Sequence, residues 1–76
     1  MWEIIDNQLT RVFIFPDFKK AFSFMTEVAL IAEKMDHHPD WSNCWNKVTI
    51  RLSTHEAGNI VTKKDYDLAS SIDAIS

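Results

Sequence analysis

Residues 41–52 read Trp-Ser-Asn-Cys-Trp-Asn-Lys-Val-Thr-Ile-Arg-Leu, and this stretch admits two structures. The first is a loop as far as Cys44 followed by one strand. The second is a β-hairpin with a two-residue turn at Asn46-Lys47. Facing residues of a hairpin share one side of the sheet, and each strand alternates with a period of two. We predict the hairpin, because it places the apolar side chains on one side of the sheet. Asn43 shares that side with the apolar residues, which are Trp41, Trp45, Val48, Ile50 and Leu52.

The predicted hairpin has a definite register, because a one-residue shift would turn every side chain to the other face. Trp45 faces Val48, and the same pairing continued outward brings His38 opposite His55. Directly facing residues of an antiparallel pair have Cα atoms about 4.5–5.5 Å apart. We therefore expect these two histidines to lie side by side, on the face opposite the apolar one.

Two β-rich runs stand before the hairpin and indicate a second one. Trp2–Ile5 and Leu9–Phe15 are separated by Asp6-Asn7-Gln8, a composition typical of a turn. Pro16 ends the second run, and Asp17 is placed to cap a helix.

The helix predicted next spans Phe18 to Met35. Its apolar residues recur at helical spacing and cover about half the circumference, which is wider than the roughly 100° that one contact face requires. Leu30 lies outside this apolar arc. The width indicates either a well-buried core helix or two contact surfaces, one of them a subunit interface. The helix must end before Pro39, because the residue preceding a proline is pushed out of the α region.

The remaining sequence predicts a closing helix. Gly58-Asn59 marks a turn, Thr62-x-x-Asp65 resembles a capping box, and apolar residues recur from Tyr66 to Ile75. The order is ββαββα, an α+β fold of two layers in which both helices cover one face of a four-stranded antiparallel sheet. We expect residues 1–76 to form a single domain, with the histidines on or beside the other face.

Composition narrows the range of functions. The 8 basic and 11 acidic residues give a net charge of −3 and no basic stripe, so direct nucleic-acid binding is not expected. A single cysteine, Cys44, fits a reducing compartment. No run is long and apolar enough to span a membrane, and no signal-peptide pattern is present, so we expect a soluble, cytoplasmic protein. The 46% hydrophobic content is high for so short a chain, and it suggests burial between subunits.

All three histidines occur close together in the sequence, at His37, His38 and His55, with acidic residues around them. Histidine both gives and takes a proton near neutral pH, with an unperturbed pKa of about 6.5. Any one of the three is equally well explained as an exposed loop residue. Together they indicate acid–base chemistry.

A longer pattern surrounds the histidines and covers most of the chain. Its parts are Asp17-Phe18-x-x-Ala21-Phe22, Glu33-x-x-x-His37-His38-Pro39, Trp45, Leu52-Ser53-Thr54-His55 and Asp65. This pattern closely resembles the signature of the pterin-4a-carbinolamine dehydratases, with similarity from about Trp2 to Ile72. The resemblance implies the same ββαββα fold and a reaction that needs no cofactor and no metal. That reaction is the dehydration of 4a-hydroxytetrahydropterin to quinonoid dihydropterin and water, in tetrahydropterin recycling.

The resemblance also implies catalytic roles for the histidines. His37 and His55 would be the acid and the base, in an order that stays open, and His38 would position the pterin. We expect His37 and His55 to be partly exposed. Replacing either by alanine should then lower the rate by one or more orders of magnitude at little cost in stability.

Five further residues are implied in substrate binding. Glu33 and Asp36 would orient or charge-stabilise the imidazoles, and Asp65, with Lys64 beside it, would contact the substrate or a histidine. Trp2 would line the pocket, where a flat pterin could rest against its ring. Without the resemblance, Glu33 reads as a solvated helix residue and Asp65 as a capping side chain. The other two tryptophans are assigned to the core or an interface.

Three rival functions remain. Zinc could bind three histidines and carboxylates, but the neighbouring His37 and His38 rarely both reach one ion, and His-x₃₋₅-His spacing is absent. A non-catalytic module is the second rival, because animal members of the resembled family also bind a transcription factor's dimerisation helix and some family-like proteins assist enzyme assembly. The apolar arc of Phe18–Met35 would serve that role, or equally a homodimer or homotetramer. The third rival is dehydration of another carbinolamine.

Overall fold

The structure, a computed structural model that describes residues 1–76, contains four strands and two α-helices. A short 3₁₀ turn, His55–Ala57, follows the fourth strand. The elements are β1 (Glu3–Ile5), β2 (Gln8–Ile14), α1 (Phe18–Met35), β3 (Asp40–Cys44), β4 (Lys47–Leu52) and α2 (Lys63–Ile75). This is the predicted ββαββα order.

The strands form one antiparallel sheet in the order β1-β2-β4-β3. Asp6 and Asn7 join β1 to β2, both with positive φ, 51° and 63°. Two such residues suit the tight hairpin turns whose twist matches that of the strands. The first hairpin and the α+β class are confirmed, but the turn is shorter than predicted, because Gln8 belongs to β2 and pairs with Ile5.

Helix α1 has the predicted bounds because both of its ends are capped. The Asp17 carboxylate accepts a hydrogen bond from the Lys20 backbone N–H at 2.8 Å, which satisfies a free donor of the first turn. At the other end Asp36 adopts a left-handed conformation (φ 52°), and its N–H bonds to the carbonyls of Ala32 and Glu33. This reversal ends the helix before Pro39 and turns the chain toward β3.

The second hairpin exists, but its turn is one residue earlier than predicted, at Trp45-Asn46. Trp41 consequently faces Ile50 instead of Leu52. The reason is a contact with a residue outside the hairpin. The Asn46 side chain donates to the Phe15 carbonyl at 3.0 Å, and the Phe15 N–H donates to the Asn46 carbonyl at 2.9 Å. These two bonds tie the turn to the end of β2.

The corrected register keeps the predicted faces, because moving the turn by one residue shifts the pairing by two. The β4 side chains Val48, Ile50 and Leu52 are fully buried, and Trp41 packs against them. Trp45 is the exception, since it lies in the turn with φ 51° and is 63% exposed.

The predicted pairing of His38 with His55 is wrong. Strand β3 begins only at Asp40 and β4 ends at Leu52, so both histidines lie beyond the paired residues. Beyond β4 the chain turns away, and Thr54 pairs instead with Ile60 in an isolated antiparallel bridge.

The core lies between the helices and one face of the sheet. It consists of twelve buried residues: Leu9, Phe13, Ala21, Phe24, Val28, Ala32, Val48, Ile50, Leu52, Leu68, Ala69 and Ile72. Neither helix is long and apolar enough to cross a membrane.

Only part of the apolar arc of α1 reaches this core. Phe24 and Val28 are buried, whereas Phe18 and Phe22 stack on each other with ring centroids 5.7 Å apart and stay about half exposed, at 48% and 54%. Leu30, outside the arc, is 69% exposed. Within one chain, α1 therefore buries only part of its apolar arc, and a second apolar surface is left.

Candidate active site

The three histidines line one cavity of about 220 Å³ at the end of the sheet where β4 ends and β3 begins. The α1–β3 connection supplies three of its residues and the segment after β4 the other three: Asp36, His37, His38, Ser53, His55 and Glu56. The reversal at Asp36 and the bridge from Thr54 to Ile60 bring the two segments together. Residues distant in sequence thus meet although no strand pairing joins them.

His37 is held by a buried carboxylate. Its Nε2 lies 2.6 Å from Oδ1 of Asp65, and because a carboxylate only accepts, the imidazole donates. Asp65 is fully buried and His37 is 8% exposed. The expectation that His37 is partly exposed is wrong, because its imidazole is buried against the Asp65 carboxylate of α2.

The Asp65 carboxylate is satisfied on both oxygens. Its Oδ2 accepts from the Thr54 hydroxyl and from the Thr62 backbone N–H, each at 2.8 Å. Since Thr54 gives its proton to Asp65, the Thr62 hydroxyl donates to Thr54. No buried side-chain polar atom of the protein lacks a partner. The capping residue predicted at Asp65 therefore has a second role, which is to fix the orientation of His37.

His38 and His55 are held at the surface. Nε2 of His38 lies 2.8 Å from a carboxylate oxygen of Glu33, one helical turn back on α1, and both side chains are largely exposed. Nδ1 of His55 lies 3.0 Å from Oδ1 of Asn59. Each acceptor is a near neighbour in sequence, so each contact forms locally.

Each of the three imidazoles thus has one ring nitrogen bound to an acceptor oxygen. A neutral imidazole carries a proton on one nitrogen and a lone pair on the other, and the hydrogen bond made by one decides the state of the other. The nitrogens left for a ligand are Nδ1 of His37, Nδ1 of His38 and Nε2 of His55. Each ring therefore keeps one nitrogen that is not used in these contacts.

Lys64 and Glu56 form an ion pair beside the cavity, with Nζ 3.3 Å from Oε1. The pKa of the Glu56 carboxyl lies below its ordinary value, because its own backbone N–H donates to it and Lys64 adds a hydrogen bond and a positive charge. Glu56 lines both this cavity and a neighbouring one of about 410 Å³, which Lys64 also lines. Lys64 reaches the histidine cavity through Glu56.

Trp2 lies away from the histidines. It precedes β1, in which Glu3 pairs with Thr10, whereas the cavity lies beyond Leu52, the partner of Leu9. Its indole N–H donates to the Asp73 carboxylate, 2.9 and 3.0 Å from the two oxygens, and its ring packs edge-on against Phe13. The structure separates Trp2 from the other predicted site residues. Lys64 differs from them less, because it contacts the cavity indirectly, through Glu56.

Four residues of the site were not predicted: Ser53, Thr54, Glu56 and Asn59. Ser53 and Thr54 belong to the motif Leu52-Ser53-Thr54-His55 and Glu56 follows it directly, so the signal was present, but spacing alone does not show which side chains turn inward. Asn59 was recognised only as a turn residue. The structure brings together no three His, Cys, Asp or Glu side chains in a way that could hold a metal ion.

A family description matches this chain almost completely. The model of the family "Pterin 4 alpha carbinolamine dehydratase" covers residues 1–75. Proteins named "Putative pterin-4-alpha-carbinolamine dehydratase" are 57% identical in Prochlorococcus marinus strain MIT 9515 and 51% identical in Rhizorhabdus wittichii strain RW1. These alignments cover 97% and 99% of this chain and 76% and 78% of the two relatives.

Two solved structures share the fold. The transcriptional coactivator/pterin dehydratase from Brucella melitensis superposes with a TM-score of 0.92 at 46% identity, over 97% of this chain and 80% of that one. A pterin dehydratase-like protein described as a RuBisCO assembly factor in the alpha-carboxysome gives a TM-score of 0.77 at 20% identity, over 97% and 84%. At that identity the second likeness shows the fold alone.

Proposed function

The chain belongs to the pterin 4 alpha carbinolamine dehydratase family, and on that basis we propose that it dehydrates 4a-hydroxytetrahydropterin to quinonoid dihydropterin and water, in tetrahydropterin recycling. One observation carries the proposal: His37, His38 and His55 line one cavity, and each has a ring nitrogen left for a ligand.

The reaction needs two proton transfers and little else. The substrate carries a hydroxyl and an amine nitrogen on one carbon. As the carbon–oxygen bond breaks, an acid gives a proton to the leaving hydroxyl, which departs as water. The nitrogen lone pair forms the new C=N bond, and a base takes the proton from that nitrogen. Positioned acid and base groups contribute typically about 10²–10⁴-fold each, and no electrons are exchanged with an external partner.

In this proposal His37 and His55 transfer the protons and His38 positions the pterin. The Asp65 carboxylate fixes the ring of His37, and Glu33 fixes that of His38. Aligned reacting groups lower the barrier because the cost of orienting them is met during folding.

The contribution of the remaining residues is less direct. Asp36 lines the cavity, and in this proposal its carboxylate orients or charge-stabilises an imidazole. Lys64 acts through its ion pair with Glu56. We do not extend the proposal to Trp2, because its indole N–H is bound to Asp73 outside the cavity.

The test is a dehydration assay with synthetic 4a-hydroxytetrahydropterin, followed by the absorbance of quinonoid dihydropterin. Wild-type protein should accelerate the reaction, and His55→Ala should lower the rate about 10²-fold or more with little effect on unfolding, because His55 is exposed. Tyr66→Ala, at another exposed position, is the control. Equal rates for wild type and His55→Ala would refute the assignment.

The proposal includes self-association as a homodimer or homotetramer. The exposed pair Phe18 and Phe22 gives α1 a second apolar surface that a partner subunit would cover. The same surface favours the alternative function, a non-catalytic coactivator-type or assembly module. Absence of activity in the assay, together with an intact fold, would favour that alternative.

The cytoplasm is the proposed location. Cys44 is free and exposed, a state that a reducing compartment preserves.

A further inference from the structure

The loop after His55 closes on itself. The Thr54 carbonyl accepts from the Asn59 N–H at 3.1 Å, and the Thr54 N–H donates to the Ile60 carbonyl at 2.8 Å. The closure requires left-handed backbone at Gly58 (φ 90°) and Asn59 (φ 61°). Glycine and asparagine are the residues that adopt this conformation at least cost.

Closure of the loop places the Asn59 amide against His55. Oδ1 of Asn59 lies 3.0 Å from Nδ1 of His55. An amide oxygen only accepts, so Nδ1 carries the proton and, in the neutral ring, Nε2 carries the lone pair. The carboxylate of the adjacent Glu56 is paired with Lys64, so the hydrogen bond to Nδ1 of His55 is made by Asn59.

The partner of His55 differs in charge from those of the other two histidines. His37 and His38 are bound by carboxylates, which carry a negative charge. Asn59 is neutral and fixes the ring without adding negative charge. A neutral imidazole whose Nε2 carries a free lone pair is the form that accepts a proton.

We propose that Asn59 is a positioning residue that holds His55 as the Nδ1–H tautomer, so that Nε2 of His55 takes the proton from the substrate nitrogen. This inference rests on the proposed function and deepens it. Asn59 does not touch the substrate, and its effect passes through His55.

The test combines ring ¹⁵N NMR of histidine-labelled protein with the pH–rate profile. In the wild type the Nδ1 of His55 should show a protonated shift and Nε2 an unprotonated one. Asn59→Gly, which keeps the left-handed backbone but lacks the acceptor, should lose this tautomer preference and lower kcat about tenfold or more, with KM little changed.

Asn59→Asp is the conservative variant. It keeps an acceptor and should keep the Nδ1–H tautomer. Its negative charge should stabilise the imidazolium and move the acid limb of the pH–rate profile to higher pH. The other titratable groups at the cavity, His37, His38, Asp36 and Glu56, are unchanged in this comparison.

Asn7→Gly is the matched control. Asn7 is also a left-handed asparagine in a turn (φ 63°), but it joins β1 to β2 outside the cavity. It should leave the His55 tautomer and kcat unchanged. A wild-type His55 protonated on Nε2, or an unaltered tautomer in Asn59→Gly, would overturn the inference. Failure of the dehydration assay would refute the proposed function, while the NMR comparison would still decide the role of Asn59.

Discussion

Nε2 of His37 and Oδ1 of Asp65 lie 2.6 Å apart, and both side chains are buried. This contact joins the connection that follows α1 to the first turn of α2, across 28 residues of sequence. The candidate site and the packing of the two helices therefore depend on the same pair. Stability and activity should respond together when either partner is removed.

Asp65→Ala should destabilise the protein strongly. The substitution leaves three donors without an acceptor: the buried His37 ring, the buried Thr54 hydroxyl and the half-buried Thr62 N–H. One unpaired buried group costs about 1–3 kcal/mol, so the free energy of unfolding in urea should fall by about 3 kcal/mol or more. Asp67→Ala is the control, because Asp67 forms only an exposed pair with Lys63 and its loss should cost under about 1 kcal/mol. Equal effects of the two substitutions would contradict the structure.

Substitutions of His37 should separate folding from catalysis. Alanine leaves the buried Asp65 carboxylate short of a donor, so His37→Ala should lose both stability and activity. Glutamine places an amide N–H near the position of Nε2 and cannot exchange protons. His37→Gln should therefore unfold nearly as the wild type does while its rate falls about 10²-fold. Urea unfolding and the pterin assay measure the two effects, and full activity of His37→Gln would exclude His37 from proton transfer.

Glu56 should titrate below its ordinary pKa, and Lys64→Met should raise its pKa. The Glu56 backbone N–H lowers the pKa most and remains in the variant, so the recovery should be partial. A carboxyl whose pKa is depressed on folding favours the folded state above its unfolded pKa and loses that contribution as pH falls through the folded value. Wild type and variant should therefore converge in stability in acid. NMR titration of the Glu56 side chain measures the shift, and Lys63→Met, which removes a cation bound to Asp67, should leave it unchanged.

Phe22→Glu should weaken self-association. Phe22 is half exposed and stacks on Phe18 on the second apolar surface of α1, and a carboxylate buried there by a partner subunit would lack a partner. Light scattering at micromolar concentration should show a dimer or tetramer for the wild type and smaller species for the variant. Leu30→Glu, a more exposed position outside the apolar arc, should not change the mass. A monomeric wild type would refute the proposed oligomer.

Local signals were sufficient where local contacts decide the structure. Helix α1 was predicted with its observed bounds because the Asp17 cap and Pro39 limit it from within the chain. The two faces of the second hairpin followed from alternation, which a shift of two residues does not alter. The turn itself depended on Phe15, which a pattern confined to residues 41–52 does not include.

The prediction of the site also succeeded where local sequence decides and failed where contacts between distant segments decide. The resemblance to a known family led to the three histidines and to Glu33 and Asp65, but their grouping was argued from a strand pairing that does not occur. The histidines meet because two connections fold back at Asp36 and at Thr54. Such reversals depend on left-handed residues and on bonds between loops, and hydrophobic periodicity carries no information about either.

The bridge between Thr54 and Ile60 uncouples the length of the loop from the geometry on either side of it. Residues inserted or deleted between these two positions alter the loop, while Thr54, Thr62 and Asp65 keep their mutual contacts. Changes of loop length during evolution would therefore alter the surroundings of His55 alone. They would give His55 a new hydrogen-bond partner and leave His37 with its own, so a single variable segment could adjust the chemistry of the site without rebuilding the domain.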